Sequence, residues 1–342
     1  MQSKKILYIK AWDVSFIKKD EEILKKNFTC LSFLYRSTKG FTGLKDMIRC
    51  LFWLLKNIKN TDCIYVWFAG IHSLIPSIIA RFFGKKLIIV LGGLDVETYP
   101  PLNYGFMLHP LTRFSVQVTC KLADILLPVT EHTLRELKRN VKPIYSEKSQ
   151  IIYNSYFGDI FKSENKFTKK NQVMTVCAAA DITTVKRKAI DVFIDTARIM
   201  PEIPFLVVGI SGEAYDFLNK DLPANVQLIK HLPFKDLARH YSESKVFCQV
   251  SRLETFGVAI IEAIACGCFP IVNNSGGMPE IISGTKGIIL KELNNKKLKE
   301  AIEEAFTRPQ DDILDIKEKV LPRFDSSIRE RKIVDIISTL SY

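Results

Sequence analysis

The chain has 342 residues, of which 47% are hydrophobic and 25% charged, and its formal net charge is +12 at pH 7. This composition excludes a disordered chain, and the length suits two domains of roughly 150 residues rather than one core. The charge is uneven: Lys and Arg outnumber Asp and Glu by 23 to 12 in residues 1–150, but only by 26 to 25 in residues 151–342. A basic half is typical of proteins that meet phospholipid headgroups, nucleic acid or a polyanionic substrate, unless the lysines only keep the chain soluble.

In the first half, short apolar runs alternate with amphipathic segments. We predict strands for the runs ILYI, IYVWF, LIIVL, DILLPV and QIIYN, and helices for LKDMIRCLFWLLKNIK and TEHTLRELKRN. The N-terminus passes directly into the first strand-like run, so we expect no secretory signal. Eight cysteines occur without a Cys-x-x-Cys pair, which favours small buried residues in a reducing cytosol over disulfides or a metal site.

One uncharged segment, residues 63–80, has a length near the lower limit for a membrane-spanning helix. Gly70 and Pro76 interrupt it, however, and its first part is rich in residues that favour strands. We therefore predict a strand over 64–68 and a helix that ends near Arg81, followed at once by the next strand.

The second half repeats the alternation of strands and helices. Its predicted strands are QVMTVCAA, IPFLVVG, VQLIK, KVFCQV, FPIVNN and GIIL. Between the halves, the polar and lysine-rich residues 162–172 indicate a linker. Continuous apolar strands between helices predict an α/β fold of two Rossmann-like domains, each with a parallel sheet, facing each other across a cleft. Ligands of such sheets bind at the carboxyl ends of the strands.

Two carboxylates lie eight residues apart in an otherwise apolar stretch, residues 251–272. We predict a loop after the strand KVFCQV, a helix over 257–266 and then a buried strand, which places Glu254 in the loop and Glu262 on the helix. Removing a carboxylate from water is costly unless a partner compensates, so either both acids face solvent or something binds there. The start of the helix offers N–H groups and a positive dipole end suited to a phosphate, beside Thr255, Phe256 and Gly257.

These motifs resemble a known family. Glu254 and Glu262 resemble the Glu-x7-Glu motif of the retaining family 4 glycosyltransferases, which have the GT-B fold. The segment SGGMPEII (275–282) resembles that family's Gly-Gly-x-x-Glu, and KAIDVFIDTA (188–197) resembles its Lys-Gly-x-x-x-Leu-x-x-Ala helix start, with Ala189 in place of glycine. Weaker similarities lie in IIYNSYFGDIF (151–161), LGGLDV (91–96) and FDSSIRERKIVDIISTL (324–340).

The resemblance implies three parts of the chain. Residues 1–160 would form an N-terminal acceptor-side domain, residues 161–325 a nucleotide-sugar-binding domain, and residues 326–342 a last helix that returns to the first domain.

The resemblance also implies roles for single residues. Glu262 would accept hydrogen bonds from the ribose hydroxyls of a nucleotide sugar. Glu254 and Lys188 would be catalytic, the first facing the donor sugar and the second neutralising the diphosphate. The remaining candidates for contact with the nucleotide sugar are Lys186, Arg187, Thr255, Phe256, Gly257, Gly276, Gly277 and Glu280. The candidates for the N-domain side of the cleft are Gly92, Gly93 and Asp95.

The sequence departs from the family pattern at two places. It lacks the family's Gly-Arg-Leu segment, so either Lys186 or Arg187 supplies the second cation, or backbone N–H groups and one lysine hold the diphosphate. Gly92 occupies the position of the family's N-domain histidine, which leaves His72 and His109 as substitutes.

The implied activity is retaining, metal-independent transfer of a hexosyl-type group from a nucleoside-diphosphate sugar to a glycan or lipid-linked acceptor. The setting would be surface polysaccharide assembly. No Asp-x-Asp occurs in the sequence, so we expect no metal and no cofactor besides the donor substrate. We expect a cytoplasmic protein, docked on the inner membrane face by its basic first domain and not bound to nucleic acid. The alternatives are a non-catalytic sugar-nucleotide-binding module and a sugar-nucleotide epimerase of the same fold.

Overall fold

The computed structural model describes residues 4–38, 40–161 and 168–340. The chain divides into two compact units. The first holds the residues up to Asn154 together with those from Ser327 onward, and the second is Ser155–Ser326. The sequence places these boundaries after residues 160 and 325 instead. Of the predicted linker over 162–172, residues 162–167 lie outside the described part of the chain.

The sheet of the first unit is parallel throughout. Its strands, within the described residues, are β1 (Lys5–Lys10), β2 (Thr29–Leu34), β3 (Cys63–Trp67), β4 (Lys86–Leu91) and β5 (Ile125–Pro128). They lie in the order β2-β1-β3-β4-β5. The chain therefore moves from β1 to one neighbour and then returns to the other side of β1, so the order reverses between β1 and β3.

Helices cover both faces of this sheet. They are α1 (Ser15–Asn27), α2 (Gly40–Asn57), α3 (Ile71–Phe82), α4 (Pro110–Leu122) and α5 (Glu131–Glu136), with shorter turns at Pro100–Leu102, Phe106–Leu108, Leu137–Val141 and Pro143–Lys148. Side chains of α2, α3 and α4 share one buried cluster, which includes Cys50, Ile79 and Val116. Those of α1 belong to a second cluster with Tyr8 and Tyr65.

The second unit holds a parallel sheet in the order β11-β10-β9-β6-β7-β8. Within the described residues, its strands are β6 (Lys170–Ala179), β7 (Phe205–Ile210), β8 (Val226–Ile229), β9 (Ser244–Gln249), β10 (Phe269–Asn273) and β11 (Ile288–Leu290). Its helices are α6 (Gly158–Phe161), α7 (Ile182–Arg187), α8 (Ile190–Arg198), α9 (Gly212–Asn219), α10 (Phe234–Glu243), α11 (Val258–Ala265), α12 (Met278–Ile282), α13 (Asn295–Thr307) and α14 (Gln310–Val320), followed by a turn at Leu321–Phe324. The predicted class of two Rossmann-like α/β domains is confirmed.

The last helix, α15 (Ser326–Thr339), packs against the first unit beside α1. Its Arg329 forms a buried ion pair with Asp20 of α1, at 2.6 and 2.7 Å. The same guanidinium donates to the backbone carbonyls of Ile152 and Tyr153, each at 3.0 Å. The ion pair therefore links α1, in the first segment of this unit, to α15, in its last segment.

Two predicted elements of the first unit need correction. Residues 150–154 do not form a strand. The N–H groups of Gln150 and Ile152 donate to the carbonyl oxygens of Leu126 and Pro128 in β5, without a continuous ladder. The strand β2 was not predicted, because its residues are mostly exposed or half-buried and it lacks a continuous apolar run. The strand and helix predicted within 63–80 are confirmed as β3 and α3. Across the described ranges, no helix is both long and apolar enough to cross a membrane.

Candidate functional site

The strand order of the second unit singles out one point along its sheet. After β6 the chain builds β7 and β8 on one side and then returns to form β9 on the other side of β6. Loops that leave β6 and β9 therefore diverge at their carboxyl ends, and such a reversal is where open α/β sheets bind ligands. Glu254 lies in the loop that follows β9, and Lys188 lies at the end of α7, the short helix that follows β6. Both predicted catalytic residues therefore belong to the segments that leave these two strands.

Lys188 and Glu254 form an ion pair in which the lysine ammonium donates to the carboxylate, and each side chain is 16% exposed. Burial acts to raise the pKa of Glu254, but the charge and hydrogen bond of Lys188, the charge of Arg187 and the N–H of Phe256 outweigh it and lower the pKa. Glu254 is therefore ionised at neutral pH. The two residues are 66 positions apart, so the sequence predicts a role for each but not that they meet.

Arg252 fixes the segment that carries Lys188. Its guanidinium makes a bidentate pair with Asp191, with both N···O distances 2.8 Å, and donates to the carbonyl oxygen of Lys186 at 2.5 Å. Its backbone N–H also donates to the carbonyl of Arg187 at 2.8 Å. A bidentate arginine–carboxylate pair sets orientation as well as distance. This role of Arg252 was not predicted, because no local pattern in the sequence relates Arg252 to Asp191.

Gly276 and Gly277 lie against the backbone of Glu254. Gly276 has a φ of +63°, and a Cβ added there would lie 1.9 Å from the carbonyl oxygen of Glu254. The N–H of Gly277 donates to that same oxygen at 3.0 Å. The backbone of Glu254 therefore occupies the space beside Gly276. Contact of either glycine with a nucleotide sugar stays a prediction.

The predicted helix over 257–266 is α11, with Gly257 as its N-cap residue at φ +97° and Cys266 as its C-cap. The side chain of Phe256 is buried, and its ring packs edge-on against Phe324 with ring centroids 5.5 Å apart. Thr255 is also buried, so contact with a ligand there would involve little of its side chain. Contact of a ligand with the backbone N–H groups at Thr255, Phe256 and Gly257 stays a prediction.

Glu262 has a different environment from Glu254. It is 7% exposed, and its carboxylate lies 3.5 Å from the hydroxyl of Tyr241 on α10. That distance is longer than an ordinary O–H···O hydrogen bond. Burial raises the pKa of Glu262 to about 7, and the tyrosine offsets this only in part. The carboxylate is therefore poorly compensated and titrates close to neutral pH.

The remaining candidates of the second unit differ in exposure. Lys186 is exposed, whereas Arg187 and Glu280 are half-buried. The backbone of Lys186 is held by Arg252, and the carbonyl of Glu280 accepts a hydrogen bond from Arg323 at 2.8 Å. Their contact with a nucleotide sugar stays a prediction.

In the first unit, the predicted cleft residues Gly92, Gly93 and Asp95 organise their own loop. A Cβ at Gly92 would lie 2.1 Å from the ring of Phe68, so this glycine makes room for a side chain. Asp95 is fully buried, and burial raises its pKa to about 7. Its carboxylate accepts hydrogen bonds from the backbone N–H groups of Ala69, Gly93 and Val96, at 3.1, 2.9 and 3.2 Å. A ligand contact through Asp95 therefore gains no support.

Neither histidine proposed as a substitute has the surroundings of an acid–base residue. His72 is buried against the carbonyl of Trp67 at 2.8 Å, and burial lowers its pKa to about 4. His109 is exposed at the start of α4. The structure instead pairs His132 with buried Glu97, with Nε2 and Oε1 2.5 Å apart, beyond the carboxyl ends of β5 and β4. The described residues contain no group of three or more His, Cys, Asp or Glu placed to hold a metal ion.

The region that carries the Lys188–Glu254 pair matches a family profile. Residues 158–319 match the profile of glycosyl transferases group 1. The match covers a little under half of the chain.

Two characterised relatives are similar over about two thirds of the chain. One is N-acetyl-alpha-D-glucosaminyl L-malate synthase from Bacillus anthracis, 26% identical over 66% of this chain and 59% of that protein. The other is the GDP-mannose-dependent monoacylated alpha-(1-6)-phosphatidylinositol monomannoside mannosyltransferase from Corynebacterium glutamicum, 24% identical over 60% and 58%. The chain thus spans a little under six tenths of each of these relatives.

Solved structures establish the fold over nearly the whole chain. Sucrose-phosphate synthase from Thermosynechococcus elongatus superposes with a TM-score of 0.78 at 14% identity, covering 98% of each chain. HepE from Anabaena, solved in complex with UDP and glucose, superposes with a TM-score of 0.72 at 15% identity, covering 98% of this chain and all of that one. At such identities the likeness shows the GT-B fold and no more.

Proposed function

We propose that this protein is a glycosyltransferase that moves a sugar from a nucleoside-diphosphate sugar to a hydroxyl of a glycan or lipid-linked acceptor. The observation that carries the proposal is the pair of unlike carboxylates near one sheet edge. Glu254 is ionised and held by Lys188, whereas Glu262 is buried with a raised pKa and incomplete hydrogen bonding. The family match and the relatives named for sugar transfer support the same activity.

Glu262 would bind the ribose of the donor. A vicinal diol supplies two O–H donors, and hydrogen bonds to a charged group contribute about 1.5–3 kcal/mol each. Such donors favour the ionised carboxylate, so binding would lower the pKa of Glu262 from the value of about 7 that burial produces. This explains why a poorly compensated acid is placed at this position.

Lys188 and Glu254 would hold the diphosphate and the donor sugar. A lysine ammonium has three N–H donors, so Lys188 can contact Glu254 and a diphosphate oxygen together. Glu254 would accept hydrogen bonds from sugar hydroxyls near the reacting carbon. Gly276, Gly277 and Arg252 keep both residues in place through the backbone contacts described above.

The transfer would retain the anomeric configuration and need no metal. The acceptor oxygen approaches the anomeric carbon from the face that the diphosphate leaves. The bond from that carbon to the diphosphate oxygen breaks as the new glycosidic bond forms, and the departing oxygen takes the acceptor's proton. The protein contributes positioning and positive charge rather than a general base. Lys188, with Lys186 or Arg187, would replace a metal ion at the diphosphate.

We place the protein in the cytoplasm, peripheral on the inner face of the membrane, in surface polysaccharide assembly. The excess of cations in residues 1–150 supports contact with an anionic membrane surface. The relative named for phosphatidylinositol monomannoside as acceptor supports a lipid-linked acceptor.

Calorimetric titration with UDP-, GDP- and ADP-sugars tests the donor site. We expect one of them to bind, and Glu262→Ala to weaken its affinity at least tenfold, since about 1.4 kcal/mol corresponds to a tenfold change. Lys297→Ala on α13, where Lys297 pairs with Glu300 at 2.8 Å, is the matched control and should bind normally. Equal affinity of Glu262→Ala and the control would contradict the ribose assignment.

Slow donor hydrolysis tests catalysis separately. Wild-type protein should cleave the bound donor, and Lys188→Ala or Glu254→Gln should abolish the cleavage. Binding without any cleavage would favour a non-catalytic module, and release of an epimerised nucleotide sugar would favour an epimerase.

A further inference from the structure

One outer face of the first unit is apolar although it does not belong to the core. Five residues of α2 are exposed and follow a helical spacing of three and four, which places them in one stripe: Phe41, Leu44, Ile48, Phe52 and Leu55. Phe41 and Phe52 are 72% and 67% exposed. At 1.5 Å per residue the stripe is about 21 Å long. The opposite side of α2 supplies Cys50 and Leu54 to the core, so the helix has two apolar sides.

The apolar surface continues onto the neighbouring helices. α3 packs against both α2 and α4, and all three cover the same side of the sheet. Their exposed apolar residues include Ile78 and Phe82 of α3, with Phe82 80% exposed, and Leu111 and Phe114 of α4. We call the α2 stripe together with these four residues the apolar helical face. Contiguous exposed apolar patches of this kind mark interaction sites.

The charges on these three helices have one sign at the surface. Their exposed cations include Lys45, Lys56, Arg81, Arg113 and Lys121. The single acid in the three helices is Asp46, which is buried. Asp46 accepts hydrogen bonds from the backbone N–H groups of Arg36 and Ser37, and it pairs with Arg49 at 3.1 Å. The surface of α2, α3 and α4 therefore presents no carboxylate among the described residues.

We propose that the apolar helical face docks the first unit on a bilayer that contains anionic phospholipid. Helix α2 would lie in the plane of the interface with Phe41 and Phe52 among the acyl chains, and Lys45 and Lys56 would contact headgroup phosphates. A nucleic acid would use the cations but not the exposed aliphatic side chains, and a neutral apolar protein surface would not use the cations. The inference rests on the peripheral location in the proposed function and names the surface responsible.

Vesicle flotation tests the docking surface. Wild-type protein should bind vesicles of phosphatidylglycerol and phosphatidylcholine, and Phe41→Ser with Phe52→Ser should weaken the partition at least roughly tenfold, the change expected for losing one buried phenylalanine ring. The control replaces two exposed apolar residues of the second unit, Phe217→Ser with Leu314→Ser, and should bind as the wild type does. Near-equal thermal melting of all proteins establishes that the variants fold.

Further variants test the role of the exposed cations and the depth to which α2 inserts into the bilayer. Lys45→Glu with Lys56→Glu should remove the preference for phosphatidylglycerol over pure phosphatidylcholine, whereas Lys220→Glu with Lys235→Glu in the second unit should keep it. The three native tryptophans give a background emission that is measured on the wild type. The emission that Phe52→Trp adds to this background should be quenched by lipids brominated on the acyl chains, and the emission that Phe217→Trp adds should not. Part of the vesicle binding should persist at 1 M salt. The screening length is then only about 3 Å, so the attraction between charges is lost while the burial of apolar side chains remains.

Three outcomes would overturn the inference. Wild-type protein could fail to bind anionic vesicles, or Phe41→Ser with Phe52→Ser could bind them as well as the control. In the third outcome, the wild type would sediment as a dimer and that variant as a monomer, which would make a second copy of the chain the occupant. Stabilisation by nucleotide sugar, measured on the same proteins, reports the donor site independently, so loss of docking and loss of the proposed activity are distinguishable.

Discussion

Two buried carboxylates, one in each unit, show opposite degrees of compensation. Asp20 in the first unit accepts hydrogen bonds from the Tyr65 hydroxyl, the Trp67 indole and two guanidinium nitrogens of Arg329, all at 2.6–2.9 Å. Glu262 in the second unit has a tyrosine hydroxyl at 3.5 Å. Both side chains are buried, at 0% and 7% exposure.

The difference separates a structural acid from one that is poised for a ligand. A buried charge with a complete set of donors is stable in place, whereas an incompletely compensated one costs free energy that a ligand can recover. Backbone strain does not follow this contrast, because residues other than glycine adopt a positive φ in both units: Phe68 and Asn103 in the first, and Ala189, at +54°, in the second. The contrast therefore rests on the carboxylates.

The largest effect should follow from breaking the compensated pair. Arg329→Met leaves the charge of Asp20 buried without its cation and should lower the free energy of unfolding by about 3–5 kcal/mol. Urea denaturation measures this change. Arg331→Met, an exposed position on the same helix, is the control. A loss no larger than that of the control would mean that Asp20 is satisfied by Tyr65 and Trp67 alone.

Glu262→Gln should have the opposite sign. It removes an acid whose pKa burial raises from 4.5 to about 7, so at pH 8 the ligand-free variant should be more stable than the wild type by about 3 kcal/mol, at 1.36 kcal/mol per pKa unit. The same change should weaken binding of the nucleotide sugar. Thermal melting with and without donor measures both effects, and Glu318→Gln, exposed on α14, is the control. A variant less stable than the wild type without ligand would refute the assignment of Glu262 as a poorly compensated acid.

The difference in stability between Glu262→Gln and the wild type should depend on pH, because the protonation of Glu262 is linked to folding. Between pH 4.5 and about 7 the folded protein keeps the proton of Glu262 that the unfolded chain has released. The native state then binds more protons, so this group makes stability fall as pH rises. The stability gap between Glu262→Gln and wild type should therefore open across this window and stay constant above it. Asp95, whose pKa burial raises in the same direction, is present in both proteins and cancels. A gap that is independent of pH would contradict the raised pKa.

Gly276→Ala should cost about 2 kcal/mol or more, because its Cβ would meet the carbonyl oxygen of Glu254 and its φ is unfavourable for alanine. Gly284→Ala separates these causes, since Gly284 has a φ of +74° with nothing within 4 Å of an added Cβ. The first variant should also weaken donor binding and the second should not. Equal losses of stability in the two variants would show that the close approach to Glu254 does not contribute to the free energy of unfolding.

The smallest expected effect concerns Ala189. A non-glycine residue in the left-handed region costs about 1–2 kcal/mol, and the flexibility of glycine returns part of that. Ala189→Gly should therefore raise the free energy of unfolding by about 0.5–1 kcal/mol. Ala197→Gly, buried within α8, should lower it by a similar amount. Chemical denaturation of both variants checks the pair, and destabilisation by Ala189→Gly would show that the strain is absent.

Much of the fold could be predicted from the sequence, because a buried parallel strand is recognisable as a short run of apolar residues. Apolar runs predicted β1, β3, β4, β5 and the strands of the second sheet, since most of these strands are buried along much of their length. The edge strand β2 has no such run and was not predicted. Residues 150–154, which contain Ile151, Ile152 and Tyr153, were wrongly predicted as a strand, because hydrogen-bond partners and not composition decide whether a segment joins the sheet.

Within the site, the sequence predicts that two acids lie near one strand end, that a helix begins after Gly257, and that glycines follow. Which groups meet is visible only in the folded protein: Lys188 with Glu254, Arg252 with Asp191, and Gly276 with the backbone of Glu254. The physical reason is the separation along the chain over which each interaction acts. Burial and helix periodicity act on neighbours in the chain, whereas an ion pair between residues 66 positions apart forms only after the order of the strands has brought their loops together.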